Sequence, residues 1–140
     1  MKEINELEKV WLACAIDTEG YIGLRPHHKG YRVLIQVTNT SAQFMDRLWR
    51  MTEVGKLYTR LPRKQERKII YVWQIHKLDD CLQILKSIQP YLIIKQEQAT
   101  NMLLYLKFRK QKGKGKAFGT VEHILAEGSQ TEIKAIEELL

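Results

Sequence analysis

Glu19 closes the run Leu12-Ala13-Cys14-Ala15-Ile16-Asp17-Thr18-Glu19 and is followed at once by Gly20. A carboxylate on the last turn of a helix, with glycine allowing a sharp exit, can project from the helix end toward a phosphate. Oxygen donors of this kind suit Mg2+, which keeps several waters beside one or two carboxylates. One chain offers a single such helix end, so two copies packed helix against helix about a two-fold axis would be needed to bring two Glu19 carboxylates together. Ala13, and Asp17 one turn later, are small enough for a close crossing, whereas Cys14 would hold the helices slightly apart or fill a gap. The remaining residues offer little other chemistry. His27 and His28 are neighbours without carboxylate or cysteine partners at chelating spacing, which favours a phosphate contact or simple exposure over a metal. No Ser/His/Asp set or glycine-rich phosphate loop can be assembled, and Gly113 and Gly115 lie between lysines. Cys14 and Cys81 lack CxxC spacing and are expected as buried thiols of a reducing compartment.

The elements that must position these groups follow from periodicity. Ile4, Leu7, Val10, Trp11, Cys14 and Ala15 recur at helical spacing, predicting a helix over Ile4 to Thr18. Tyr21–Arg25 and Tyr31–Thr38 alternate as strands about a Pro-His-His-Lys-Gly turn. Ser41 is placed to cap a helix over Ala42 to Glu53, with Gly55 as its stop. A second hairpin, Lys56–Leu61 and Lys68–His76, spans a basic loop. Helices are then predicted over Leu78–Ile88, stopped by Pro90, and from about Ile94 to Lys110. Two short helices close the chain after a Lys/Gly stretch, over about Val121–Glu127 and Thr131–Leu140. The order αββαββα, with extra C-terminal helices, predicts an α+β fold in which helices cover one face of a four-stranded antiparallel sheet. The length of 140 residues fits a single domain. Its core is expected at about 5–110, with a basic loop over 110–119 and helices over 120–140.

Alternation also predicts the free face of that sheet. Ile22, Leu24, Val33, Ile35, Val37, Leu57, Ile70 and Val72 are expected to turn toward the helices. Gly23, Arg25, Arg32, Leu34, Gln36, Tyr58, Arg60, Ile69, Tyr71 and Trp73 are expected to turn away. Arg and Gln can pair with base edges in a major groove, and Ile and Leu can meet thymine methyls.

Charge points the same way. The net charge is +7, but Arg25 to Lys116 holds 20 basic and 6 acidic residues, while Val121 to Leu140 holds one Lys and five Glu. A basic block of this kind suits a polyanion, because each neutralised phosphate releases a counterion. No membrane partner is expected, since no long apolar run or strongly hydrophobic amphipathic helix accompanies the charge. The charged N-terminus is unlike a signal peptide, so the expected location is the cytoplasm, or an organelle in a eukaryotic host.

Leu-Ala-Cys-Ala-Ile-Asp-Thr-Glu-Gly at 12–20 resembles the nine-residue motif of the LAGLIDADG homing endonucleases. Leu12, Ala13, Ile16, Asp17 and Gly20 are identical to it, Glu19 is a common acidic replacement, and Cys14, Ala15 and Thr18 depart from it. Gln-Val-Thr-Asn at 36–39 and the stretch Gln89 to Leu104 resemble the single-motif, homodimeric branch, so that the likeness covers about residues 5–110.

The resemblance implies a site-specific endonuclease that cuts both strands of a long, pseudo-palindromic double-stranded DNA target and leaves short 3′ overhangs. It implies Mg2+ held by Glu19 and the Thr18 carbonyl, two or more ions per homodimer, with Mn2+ or Ca2+ able to substitute for binding. Lys95 would lie near the scissile phosphate, and Asn39 would take the place of the residue that holds the attacking water. Leu12, Ala13, Cys14 and Asp17 would form the dimer seam, Asp17 by hydrogen bonding across it. His27, Lys29, Arg63, Lys64, Arg67, Lys68, Lys112, Lys114 and Lys116 would add phosphate contacts to those of the sheet face. The Glu-rich C-terminal helices are expected as structural caps. No small-molecule substrate is expected. An RNA maturase or a catalytically silent DNA-binding repressor on the same fold is the alternative.

Overall fold

The structure is a computed structural model that describes residues 1–28, 30–62, 68–112 and 118–139. Helix α1 (Glu6–Glu19) starts two residues later than periodicity suggests, because Asn5 caps it. The Asn5 side chain accepts from Glu8 N at 2.9 Å, and the Glu8 side chain accepts from Asn5 N at 3.1 Å. This reciprocal cap is typically worth about 1 kcal/mol and fixes where the helix begins. Strands β1 (Gly20–His27) and β2 (Gly30–Asn39) form the first hairpin. Ser41 caps α2 (Ala42–Thr52) by accepting from Phe44 N, and Glu53 ends it in the left-handed region with φ 54°, ahead of the expected stop at Gly55.

Strands β3 (Lys56–Arg60) and β4 (Ile70–Ile75) form the second hairpin. Helix α3 (Leu78–Ile88) matches its predicted span, and a single 3-10 turn over Gln89–Tyr91 carries the chain past Pro90. Helix α4 (Gln96–Lys112) follows, then α5 (Phe118–Glu127) and α6 (Gln130–Leu139). All strand pairs are antiparallel in the order β1-β2-β4-β3, which puts β2 and β4 at the centre. The predicted α+β architecture is therefore the observed one.

The inner face of the sheet, with Ile22, Val33, Ile35, Val37, Trp73 and Ile75, packs on Met45, Leu48, Ile84, Leu85, Ile88, Met102 and Tyr105 of the helices. Burying side chains of this size stabilises by about 1.5–3 kcal/mol each, which is what holds the helices on one face. The C-terminal helices are tied to that core by a polar contact: Tyr105 Oη donates to buried Glu122 of α5 at 3.0 Å. Arg109 in turn donates to the Tyr105 oxygen at 3.1 Å. Among the described residues no helix is long and apolar enough to cross a membrane.

Candidate active site and nucleic-acid interface

Glu19 occupies the last position of α1, exposed, with Gly20 starting β1 directly behind it. The reason for glycine here is space. Gly20 has extended backbone (φ −111°), and a Cβ on it would lie 2.7 Å from Ile16 O and 3.0 Å from Gln36 O, both backbone atoms that cannot swing aside. Among the described residues the Glu19 carboxylate has no hydrogen-bond or ion-pair partner, and no group of three or more His, Cys, Asp and Glu side chains gathers around a point. Thr18 is also exposed, its hydroxyl donating to Cys14 O at 2.8 Å. Asn39, at the end of β2, lines the same shallow hollow as Thr18 and Glu19. Its side-chain oxygen accepts from Ser41 N at 2.8 Å, which leaves its NH2 group as the available donor.

Lys95 reaches this helix end from the turn before α4. Its Nζ donates to Asp17 O at 2.7 Å, where the unpaired carbonyls of a helix C-terminus favour a cation. The structure corrects the expected part of Asp17. Its carboxylate accepts from Ile93 N at 2.7 Å, Ile94 N at 3.1 Å and Lys95 N at 2.9 Å of its own chain. Leu12 and Ala13, expected on the dimer seam, are completely buried in their own core. Of the four residues expected there, only Cys14 is exposed, which also corrects its expected burial. The outward stripe of α1 instead runs Leu7, Val10, Cys14 and Thr18, with Leu7 82% and Val10 46% exposed. Beside it Trp11 packs at a tilt against Phe44 of α2, ring centroids 5.2 Å apart.

The register of the sheet decides the free face. Tyr21 pairs with Gln36, Gln36 with Gln74 and Gln74 with Lys56, so these four share one side. Counting by twos, that side carries Gly23, Arg25 and His27 on β1, Arg32, Leu34, Gln36 and Thr38 on β2, Ile70, Val72 and Gln74 on β4, and Tyr58 and Arg60 on β3. The predicted face of β4 is therefore reversed. Trp73 is completely buried, its ring N–H donating to Val54 O at 2.9 Å, and half-buried Tyr71 packs against the core. Ile70, Tyr71, Val72 and Trp73 are apolar in either phase, and the acceptor that makes a buried indole tolerable lies 19 residues away. Ile69 precedes the strand and is exposed.

Leu34 lies on the free side but is only 4% exposed. Neighbouring Gly23 is roofed, since a Cβ there would lie 2.5 Å from Tyr21 Oη. The Arg25 guanidinium sits 4.7 Å over the Tyr21 ring. Gly23 is thus a clearance for Tyr21, a residue that the alternation did not single out although it lies in phase with Gly23 and Arg25. Lys56, Thr38 and Gln74 also belong to this face beyond the expected set, Gln74 because β4 presents the phase opposite to the expected one. Arg25, His27, Arg32, Tyr58, Arg60 and Lys68 are exposed as expected. Arg25 and Arg32 stand directly opposite each other, and among the described residues no ion pair falls on this face. Lys29, Arg63, Lys64, Arg67, Lys114 and Lys116 lie outside the described residues, as does the side chain of Lys112.

Compared by sequence, the chain matches no family model and no curated protein. Compared by structure, it is similar to the homing endonuclease I-CvuI, solved in complex with the I-CreI target, at a TM-score of 0.65 and 16% identity, over 96% of this chain and 94% of that one. It is similar to the homing endonuclease I-TnaI at 0.61 and 14%, over 99% of both chains. It also superposes on the LAGLIDADG meganuclease I-AabMI bound to uncleaved DNA at 0.63 and 16%, over 96% of this chain but 50% of that one. The fold of this chain, four antiparallel strands with helices on one face and α1 leading into the first strand, matches the LAGLIDADG homing endonuclease fold.

Proposed function

We propose that the chain is a site-specific, divalent-metal-dependent DNA endonuclease that works as a homodimer and hydrolyses both strands of a long, pseudo-palindromic target to leave short 3′ overhangs. The observation that carries this reading is the position of Glu19: an exposed carboxylate at the end of α1, next to an exposed apolar stripe and at the root of a basic sheet face. A lone carboxylate with the neighbouring Thr18 carbonyl is an oxygen donor set that fits Mg2+ with its waters retained. A bound Mg2+ would polarise the scissile phosphate and acidify an attacking water. The protein supplies the positions. Lys95 brings a cation to the α1 terminus to meet charge developing on phosphate. Asn39 offers its NH2 group to an oxygen in the hollow.

The Leu7, Val10, Cys14, Thr18 stripe is where a second copy fits, and pairing there brings the two Glu19 carboxylates to one centre. I-AabMI, of which this chain covers half, is consistent with two such units acting together. Arg25 opposite Arg32 is repulsive in the free chain and becomes favourable only against an anion. The polar and apolar side chains between them suit the major groove.

The test is incubation with a random double-stranded DNA pool and Mg2+, followed by sequencing of bound and cut molecules. Wild type is expected to yield a two-fold symmetric consensus and cut ends with 3′ overhangs. Glu19→Gln is expected to keep the consensus and lose cutting by about 10³-fold or more. A wild type that binds its consensus in Mg2+ without cutting identifies a repressor, and one that selects only structured RNA identifies a maturase; either result defeats the nuclease reading.

A further inference from the structure

A row of hydrogen bonds crosses the free face of the sheet. His76, just beyond β4, places Nδ1 3.2 Å from Val33 O and Nε2 3.2 Å from Gln74 Oε1. Gln74 Nε2 in turn lies 2.6 Å from Gln36 Oε1. The Val33 carbonyl can only accept, so Nδ1 must carry a hydrogen. The state of Nε2 then sets every later bond in the row.

If the ring is protonated, Nε2–H donates to Gln74 Oε1. Gln74 then gives its NH2 to Gln36 Oε1, and Gln36 has its own NH2 free. If the ring is neutral, Nε2 is an acceptor. Gln74 must then turn its NH2 to His76 and its oxygen to Gln36, a flip that leaves the shape of the amide unchanged. Gln36 must answer with its own NH2, and its carbonyl oxygen is the free group.

We propose that His76 sets the hydrogen-bonding polarity of Gln36 through Gln74, and so is a positioning residue for base readout. This rests on the DNA-binding reading of the free face. Gln36 with its oxygen free prefers bases that present an amino group in the major groove, adenine or cytosine. With its NH2 free it prefers the carbonyl-bearing guanine or thymine. The neighbours that oppose protonation of His76 are Arg32 on β2, Lys56 on β3 and, when itself protonated, His27 on β1. Burial is the largest cause and they add to it in holding the imidazole below its ordinary range, against the Val33 carbonyl, which raises it; this favours the neutral arrangement, reached from the contacts above by turning both amides.

Two measurements test this. In the free protein, 15N NMR of the histidine rings is expected to show His76 as the Nδ1–H tautomer at about pH 8 and doubly protonated at an acid pH below its lowered pKa. With Ca2+ in place of Mg2+, sequences are selected at both pH values, and Gln36→Ala identifies the base position that Gln36 reads. At that position the wild-type preference is expected to shift by about tenfold from adenine or cytosine toward guanine or thymine as pH falls. Gln74→Leu is expected to keep the rest of the consensus and to abolish the shift. An Nε2–H tautomer at pH 8, or a wild-type consensus that is the same at both pH values, overturns the relay. Absence of any DNA consensus, alongside the expected NMR result, refutes the nuclease reading and with it the readout role, but not the hydrogen-bond row.

Discussion

Asp17 and Lys95 hold each other twice: Lys95 N donates to the Asp17 carboxylate at 2.9 Å, and Lys95 Nζ donates to the Asp17 carbonyl at 2.7 Å. The first bond, with those from Ile93 and Ile94, docks the start of α4 on the end of α1. The second carries the cation back toward Glu19. Stability and chemistry therefore separate in this pair. Asp17→Ala strips three part-buried backbone donors of their charged acceptor and is expected to cost about 2–4 kcal/mol. Lys95→Met leaves those bonds in place, is expected to cost about 1 kcal/mol or less, and is expected to reduce the cutting rate by about 10²-fold with DNA affinity little changed. Urea titrations beside single-turnover kinetics check both; an Asp17→Ala protein as stable as wild type would contradict the docking role.

Gly20→Ala forces a methyl against Ile16 O and Gln36 O, so either α1 or β2 must move. An expected loss of about 1–3 kcal/mol follows from overpacking. Because Glu19 is the adjacent residue, cutting is expected to fall further than stability alone explains. Comparing the two losses at a temperature where the variant is fully folded makes the distinction.

The two thiols differ in burial. Cys81 is completely buried, donates to Ile75 O, and has its pKa pushed up to about 12 by desolvation, whereas Cys14 is exposed. A thiol reagent at pH 8 is expected to modify Cys14 alone in dilute native protein, and both thiols in denaturant. Raising protein concentration is expected to slow the Cys14 reaction as dimers form. Cys14→Glu is expected to give a monomer in sedimentation and to abolish cutting. A dimer of undiminished affinity in that variant would exclude the α1 stripe as the seam.

His76 also makes stability depend on pH. Its pKa is lower in the folded chain, so the unfolded chain takes up the proton first. The contribution is fully present above the ordinary histidine range and is lost as pH falls through that range. The urea midpoint is expected to decline between about pH 7 and 5, and His76→Gln is expected to flatten that decline. An equal decline in the variant would assign it to other groups.

On the free face, Arg32→Gln is expected to reduce the salt slope of DNA binding by about one, and Trp73→Phe to leave it unchanged while costing about 1–3 kcal/mol for the unpaired Val54 carbonyl. The same salt-titration series reads both. A changed consensus in Trp73→Phe without loss of stability would contradict the burial of this ring.

Sequence by itself determined what is local. Helical spacing, the Ser41 cap and the turn residues placed the αββαββα order within a few residues, and the end of α1 put Glu19 next to Gly20. Local patterning could not decide which side of an element meets the core when both sides are apolar. Ile70, Tyr71, Val72 and Trp73 alternate equally well in either phase, and only the Val54 carbonyl and the pairing of Gln36 with Gln74 select one. Likewise Leu12, Ala13, Cys14 and Asp17 are the expected seam, but the core encloses Leu12 and Ala13 and leaves Leu7, Val10, Cys14 and Thr18 outside. Asp17 finds its donors 76 to 78 residues away, and His76 reaches Val33 at a separation of 43. Hydrogen-bond partners so distant along the chain become neighbours only when the sheet and α4 close over α1, so tertiary structure alone decided the parts of Asp17, Trp73 and His76.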